Sequence, residues 1–166
     1  MNARKGFTII ELLIAASILS LLSTIVLGPL SEARATARDT ERKVELRMIS
    51  AALKLYYQEH GTYAVSGGGY YGGGNGWVGY EVNPSYPVAV TRVLYDLGYI
   101  TEPLVEDPLQ DPGYMLYVCD GGGSFALSAT LEDPSDEDIA FIQTTCNGVG
   151  DNGTYTRYGK NFAISS

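Results

Sequence analysis

The sequence predicts an α+β fold in which a long N-terminal α-helix packs on a small antiparallel β-sheet head. Two patterns predict this fold. A continuous apolar run at residues 7–30 leads into an amphipathic helical pattern at residues 31–60. Short strand-like segments, separated by glycine-rich and Asp-Pro turns, then occupy residues 61–166. A leader, residues 1–6, precedes the helix, so the chain divides into a leader, two helix halves and one globular head.

The apolar run at residues 7–30 is long enough to span a bilayer, because about 20 helical residues cover its roughly 30 Å core. Arg4 and Lys5 precede it, and by the positive-inside rule they keep the N-terminus cytoplasmic. Glu11 is the single charged residue of the run. A charge at the bilayer centre costs on the order of 2.5–3.5 kcal/mol, and less towards the interface. No basic residue of the run can pair with Glu11, so we expect its partner to come from elsewhere.

The composition disfavours several classes of function. The 166-residue chain carries a net charge of −8, which argues against binding the phosphate backbone of nucleic acids. It has one histidine, His60, and two cysteines. This inventory offers no zinc site and no Ser–His–Asp or Cys–His catalytic set. We predict that the protein is not an enzyme.

The two cysteines, Cys119 and Cys146, flank a strand-like region of the head. In an exported chain such a pair indicates one disulfide. The alternative is a pair of buried free thiols.

A resemblance to a known family lies at residues 5–12, which read KGFTIIEL. This stretch resembles the class III signal of type IV pilins and of type II secretion pseudopilins. The resemblance implies that a prepilin peptidase cleaves after Gly6 and methylates the new N-terminal residue, Phe7. It also implies an assembly role for Glu11, because the corresponding glutamate faces the N-terminal ammonium of a neighbouring subunit in the family's filament model. Glu11 would then pair with Phe7 of another copy.

The resemblance implies a type IV pilin-like fold and a structural subunit that polymerises into a pilus-like surface filament after processing. The implied partners are further copies of the chain, the prepilin peptidase, an inner-membrane assembly platform, and membrane lipid before assembly. The chain would start as a single-pass protein of the cytoplasmic membrane and end in an extracellular or periplasmic filament. Two alternatives stay open: a type II secretion pseudopilin in a short periplasmic filament, and an anchored binding protein that never polymerises. No cofactor is implied by the resemblance itself, apart from the calcium that some pseudopilins hold in a C-terminal loop.

A helix break is expected at Gly28 and Pro29, near the outer end of the apolar run. Proline costs a helix interior about 3 kcal/mol and kinks it. The alternatives are a local loss of helix, as the family often shows here, and a simple kink.

The amphipathic half, residues 31–60, has an apolar face on which Leu46, Ile49 and Leu53 recur at steps of three and four, followed by Tyr56 or Tyr57. The helix is expected to end before Gly61.

Charged residues lie on the opposite side of this half. Arg34, Arg38 and Arg42 form a basic stripe, which is either a solvated face or a surface that pairs with acidic surfaces of neighbouring subunits. Asp39 and Lys43 have the spacing of a favourable helical ion pair.

In the head, the pattern predicts a short helix over residues 87–97, capped by Gly98. Asp-Pro turns follow at residues 107–108 and 111–112. Strands are predicted at residues 114–119 and 124–131, joined by a glycine-rich turn, with a third strand at residues 158–165.

A glycine-rich stretch, residues 66–79, lacks the spacing of a phosphate-binding loop, and we interpret it as a flexible surface loop. Tyr70, Tyr71, Trp77 and Tyr80 either contact a partner there or pin the loop to the head.

An acidic run follows the predicted hairpin. Asp133, Asp136 and Asp138 are weak candidates for a calcium site, because calcium prefers oxygen ligands. The favoured alternative is a capping box in which Ser135 and Asp138 open a short helix.

Overall fold

A computed structural model describes residues 6–81, 84–109, 113–148 and 158–166, with the side chains of residues 24–29 and 147–148 outside that description. The basic residues of the leader and the predicted turn at residues 111–112 therefore lie outside the described residues.

Helix α1 spans Ile9–His60, in agreement with the long helix predicted from the sequence. It ends where Gly61 adopts a positive φ of 68° and donates its N–H to the carbonyl oxygen of Tyr57 at 2.8 Å. Gly28 and Pro29 fall within these bounds, and the helix break predicted there stays a prediction.

The chain divides into two compact units, Met1–Ala37 and Arg38–Ser166. In the first unit, α1 exposes many large apolar side chains between Ile9 and Leu22. They are Ile9, Ile10, Leu12, Leu13, Ile14, Ile18, Leu19, Leu21 and Leu22. Over the residues described, none of the helices has the length and apolar character that a bilayer crossing requires, so the structure does not show the span predicted at residues 7–30.

The second unit contains one antiparallel sheet with the strand order β1-β2-β3-β4. The strands are β1 (Gly76–Trp77), β2 (Met115–Cys119), β3 (Ser124–Ala129) and β4 (Phe162–Ser165). The sheet is a meander, because strands that are neighbours in sequence are also neighbours in space. The three strands predicted from the sequence are confirmed, with shorter bounds. Strand β1 was missed because it lies within the glycine-rich stretch.

Among its described residues, this unit also contains two further α-helices. Helix α2, Val90–Asp96, confirms the short helix predicted before Gly98. Helix α3, Asp136–Gly148, confirms the helix predicted after Ser135.

The core lies between α1 and one face of the sheet. Leu46, Ile49 and Leu53 are fully buried, which confirms the predicted apolar face, and Tyr56 is buried whereas Tyr57 is only partly so. Strand residues two apart point to the same face of a sheet. The sheet residues on the core face are Leu116, Val118, Phe125, Leu127, Phe162 and Ile164.

Helix α3 covers the opposite face of the sheet. Its Ile142 packs against Ala126 of β3 and Ala163 of β4. The sheet is therefore buried on both faces where strands β3 and β4 meet.

A disulfide joins Cys119, the last residue of β2, to Cys146 near the end of α3. This confirms the predicted pairing. The bond links α3 covalently to the central hairpin, across a sequence separation of 27 residues.

Reducing this disulfide is expected to lower the free energy of unfolding by roughly 3 kcal/mol, because the unfolded chain regains the entropy of an open loop. Urea unfolding of the detergent-solubilised protein, with and without reductant, measures the difference. A variant with serine at both positions serves as the control and is expected to match the reduced protein. Identical urea midpoints for all three samples would contradict a stabilising role.

Candidate functional site

The predicted processing site, Gly6 and Phe7, lies outside the helix. Residues 6–8 have no regular secondary structure and α1 begins at Ile9. Phe7 is 89% exposed, and a Cβ placed on Gly6 would meet no atom within 4 Å. The peptide bond between them is therefore accessible, in a chain segment that no helical hydrogen bond constrains.

Directly after this bond, Thr8 and Glu11 form a capping box at the start of α1. The Glu11 carboxylate oxygen Oε2 accepts hydrogen bonds from the Thr8 backbone N–H at 2.9 Å and from the Thr8 hydroxyl at 2.8 Å. In return, the Glu11 N–H donates to the Thr8 hydroxyl oxygen at 3.3 Å. These bonds satisfy backbone donors that every helix N-terminus leaves unpaired.

The capping box was missed from the sequence, although its signal, threonine followed three residues later by glutamate, is present at residues 8–11. Glu11 therefore has hydrogen-bond partners within its own chain. Thr8 gives the carboxylate hydrogen bonds and no opposite charge. Pairing of Glu11 with the Phe7 ammonium of another copy stays a prediction.

Two of the three arginines in the predicted basic stripe, Arg38 and Arg42, form ion pairs within the chain. Arg42 is 2% exposed, which corrects its assignment to a solvated or intersubunit face. Its guanidinium binds Asp107 in a bidentate manner, with Nε donating to Oδ2 at 2.7 Å and Nη2 to Oδ1 at 3.0 Å. Nη1 donates to Asp39 at 2.8 Å and to Glu132 at 3.1 Å.

Arg38 extends this ion-pair cluster, which comprises Arg38, Asp39, Arg42, Asp107 and Glu132. Both its Nε and its Nη2 donate to the Glu132 carboxylate, each at 2.6 Å. The cluster joins α1 to the segment before β2 and to the segment after β3. Of the three arginines, only Arg34 keeps an exposed place on the helix surface without a described ion pair.

The predicted ion pair between Asp39 and Lys43 does not form. The Asp39 carboxylate instead accepts hydrogen bonds from the backbone N–H groups of Glu132 and Asp133, at 2.9 and 3.0 Å. Lys43 lies 3.4 Å from the Asp138 carboxylate. Asp39 instead pairs with Arg42 of the same helix, and Lys43 pairs with Asp138 of α3.

The charges of the cluster shift the pKa of their partners. Hydrogen bonds from Arg38, and secondly from Arg42, lower the pKa of Glu132 to about 2. The pKa of Arg42 is raised, chiefly by its hydrogen bonds to Asp107. Both shifts favour the charged forms of Glu132 and Arg42.

The acidic run opens α3 as a capping box, which confirms the favoured alternative. The Ser135 N–H donates to the Asp138 carboxylate at 3.1 Å, and the Asp138 N–H donates to the Ser135 hydroxyl at 3.2 Å. Over the described ranges, no three acidic, histidine or cysteine side chains are grouped so that they could hold a metal ion. The predicted calcium candidates, Asp133, Asp136 and Asp138, do not form such a group.

Comparison with known proteins bears on the N-terminal stretch. Residues 1–27 match a family model described as the prokaryotic N-terminal methylation motif. The match includes Gly6, Phe7 and Glu11, supports the resemblance to type IV pilins and pseudopilins, and is consistent with membrane anchoring. No curated protein and no solved structure matches the chain.

Replacing Arg42 with methionine is expected to destabilise the second unit by about 3–5 kcal/mol, because Asp39 and Asp107 would keep buried charges without their partner. The double replacement Arg42→Met with Asp107→Leu is expected to recover part of the loss. Urea unfolding measures both. Arg47→Met, at an exposed position of the same helix, is the matched control and should change stability little. Equal effects of Arg42→Met and Arg47→Met would contradict the role of the cluster.

Acidification is expected to weaken the cluster through Glu132. Its folded-state pKa of about 2 lies below the ordinary value of 4.5. Its contribution to stability is therefore complete above about pH 4.5 and is lost as the pH falls towards 2. Urea unfolding across this range should show the loss, and Arg38→Met should shrink it by raising the pKa of Glu132. A Glu132 titration midpoint near 4.5 by NMR would contradict this account.

Proposed function

We propose that this chain, whose first residues carry the motif of a type IV pilin-like or pseudopilin precursor, is a structural subunit that polymerises into a pilus-like surface filament. One observation carries the proposal. An exposed, non-helical Gly6–Phe7 bond directly precedes an apolar helix whose first turn holds a single carboxylate, Glu11.

Cleavage after Gly6 is compatible with the structure at the start of α1. Hydrolysis of the bond after Gly6 releases the basic leader and leaves a free amino group on Phe7. The peptidase then transfers a methyl group from a sulfonium methyl donor to this nitrogen, which loses a proton. Thr8 and Glu11 both lie on the retained side of the bond. The capping box that starts α1 therefore persists in the mature chain, and the new N-terminus precedes an already capped helix.

Assembly would bury the apolar side chains that α1 exposes in a single copy and would pair the charge of Glu11. The large apolar side chains of α1 between Ile9 and Leu22 lie on the surface and need a bilayer before assembly or neighbouring helices after it. Glu11 and the Phe7 ammonium need opposite charges, and two staggered copies can supply them to each other. An ion pair in an apolar environment is far stronger than one in water, so the pairing also sets the axial register of the subunits.

The same processing would serve a type II secretion pseudopilin. We favour a surface pilus because the head carries a disulfide and an exposed set of tyrosines, which suit an extracellular surface. An anchored protein that never polymerises has no use for a cleavage site ahead of the helix. The partners we propose are further copies of the chain, the prepilin peptidase and the assembly platform in the cytoplasmic membrane.

Mass spectrometry of the mature protein tests the processing. We expect a chain that begins at Phe7 and carries one methyl group on its amino nitrogen. A mature chain that still begins at Met1 would contradict the proposal. Electron microscopy of material sheared from cells then separates long surface filaments from short periplasmic ones.

Replacement of Glu11 tests the assembly step. Glu11→Ala is expected to leave membrane insertion intact and to lower filament yield by roughly tenfold or more, the factor that corresponds to about 1.4 kcal/mol. Sheared-filament yield and membrane content, each measured by immunoblot, separate the two effects. Glu32→Ala, beyond the apolar run, is the control.

Two further variants separate charge pairing from helix capping. Glu11→Gln keeps an oxygen that can accept the Thr8 hydrogen bonds and removes the charge, so it should lose filaments as Glu11→Ala does. Thr8→Val keeps the charge and removes the hydroxyl of the capping box, so it should retain most filaments. The reverse pattern would show that the carboxylate acts as a cap alone.

A further inference from the structure

The glycine-rich stretch and its surroundings present a cluster of tyrosines on the surface of the second unit. We call Tyr70, Tyr71, Tyr80 and Tyr86 the tyrosine patch. The ring centroids of Tyr70 and Tyr71 are 4.3 Å apart, those of Tyr70 and Tyr86 are 5.4 Å apart, and those of Tyr80 and Tyr86 are 5.5 Å apart. Each of the four rings therefore contacts at least one other ring of the patch.

The outer rings of the patch are open to solvent. Tyr71 is 69% exposed and Tyr70 is 46% exposed, whereas Tyr86 lies half-buried beneath them. The Tyr70 ring is tilted by 55° to the rings of Tyr71 and Tyr86, and the rings of Tyr80 and Tyr86 lie at 88° to each other. Since none of these pairs is stacked flat, the outer rings keep accessible faces. An exposed aromatic cluster of this kind is typical of an interaction site.

The backbone beneath the patch is hydrogen-bonded to neighbouring segments, and the stretch that was predicted to be a flexible loop contains strand β1. The Tyr70 N–H donates to the carbonyl of Asn75 at 2.6 Å, and the Tyr71 N–H donates to that of Ser85 at 2.7 Å. Gly69 has a positive φ of 72°, and a Cβ there would lie 2.6 Å from the Asn75 carbonyl oxygen. The glycines permit a tight turn that presents tyrosines, so binding would cost little ordering entropy.

The composition of this surface matches that of recognition loops. Residues 66–80 consist mainly of glycine, tyrosine, serine, asparagine and one tryptophan. In antibody binding loops, the same residue types combine rigid amphipathic rings with adaptable hydrogen bonding. Tyr71 itself has a φ of 48°, a conformation that a bulky residue adopts only when its surroundings impose it.

The patch is electrically neutral, which restricts the ligand. Its side chains carry rings and hydroxyl groups, and the Tyr71 hydroxyl shares hydrogen bonds with the side chains of Ser85 and Tyr70. The nearby charges of Glu81 and Arg92 are paired at 3.1 Å. A polyanion would be repelled by the net charge of −8. A wholly apolar partner would bury the tyrosine hydroxyls without hydrogen bonds.

We propose that the tyrosine patch binds an uncharged carbohydrate. A sugar ring offers an apolar C–H face that stacks on an aromatic ring, together with hydroxyl groups that exchange hydrogen bonds with Tyr70, Tyr71 and Ser85. A neutral sugar therefore matches both the rings and the hydroxyl groups of the patch without bringing a charge to it. The proposal concerns the second unit alone and stands whether or not the chain polymerises.

The test uses the full chain in a polyoxyethylene detergent, because detergents with sugar headgroups would compete for the patch. A glycan array with neutral, sialylated and sulfated members identifies the ligand class. Saturation-transfer NMR and titration of the best neutral glycan then measure affinity. We expect neutral glycans to bind, with saturation transferred to their C–H groups.

Tyr71→Asn is the decisive variant, because asparagine tolerates the positive φ and removes the ring. It should weaken binding about tenfold or more, with an unchanged circular dichroism spectrum. Tyr95→Ala, at a tyrosine of α2 that is 42% exposed, is the matched control and should bind as the unaltered chain does. Three results would each overturn the proposal: no binding of neutral glycans, equal binding by Tyr71→Asn, or Tyr71-dependent self-association in place of glycan binding.

Discussion

The buried guanidinium of Arg42 connects three segments of the second unit that are far apart in sequence. Asp107 precedes β2, Glu132 follows β3, and Asp39 lies one turn earlier on α1. Apolar packing of Leu46, Ile49 and Leu53 against the sheet supplies most of the driving force for folding, but apolar contacts are not directional. The bidentate bond to Asp107 has a fixed geometry, so it determines which turn of α1 lies against the sheet. A buried ion pair need not add net stability to do this.

Elements with a strong periodic signal were predictable from the sequence. The long helix, the β2–β3 hairpin and α3 all follow from apolar spacing and from capping residues such as Ser135 and Gly61. The ion-pair cluster was not predictable, because its partners lie about 65 to 95 residues apart in the chain. Arg42 looked solvent-exposed because its neighbours in sequence are charged. Its burial depends on where Asp107 is placed, and no local pattern specifies that place.

The sequence predicted the residues of the N-terminal site more completely than it predicted the contacts of the fold. The roles proposed for Gly6, Phe7 and Glu11 depend on local chemistry and spacing, so a short motif contains all three residues. The structure adds Thr8 as a hydrogen-bond partner of the Glu11 carboxylate. Capping of the helix can therefore be distinguished from the proposed charge pairing of Glu11. Hydrogen bonding to Thr8 is satisfied within one copy, whereas none of the described residues forms an ion pair with Glu11. A carboxylate that is hydrogen-bonded but has no ion-pair partner is still stabilised electrostatically when an ammonium of another copy binds to it.

The glycine-rich stretch contains a hydrogen-bonded turn and strand β1, neither of which its composition predicted. Glycine lowers the cost of unusual backbone conformations in the folded state as well as raising the entropy of the unfolded one. From the sequence, a high glycine content indicates only the higher entropy of the unfolded chain. In the structure, Gly69 takes a positive φ, and neighbouring N–H groups bond to the carbonyls of Asn75 and Ser85. The tyrosines are therefore carried by a defined turn. Since folding has already fixed that turn, the free energy of any contact made by Tyr70 and Tyr71 is available for binding instead of for ordering the chain.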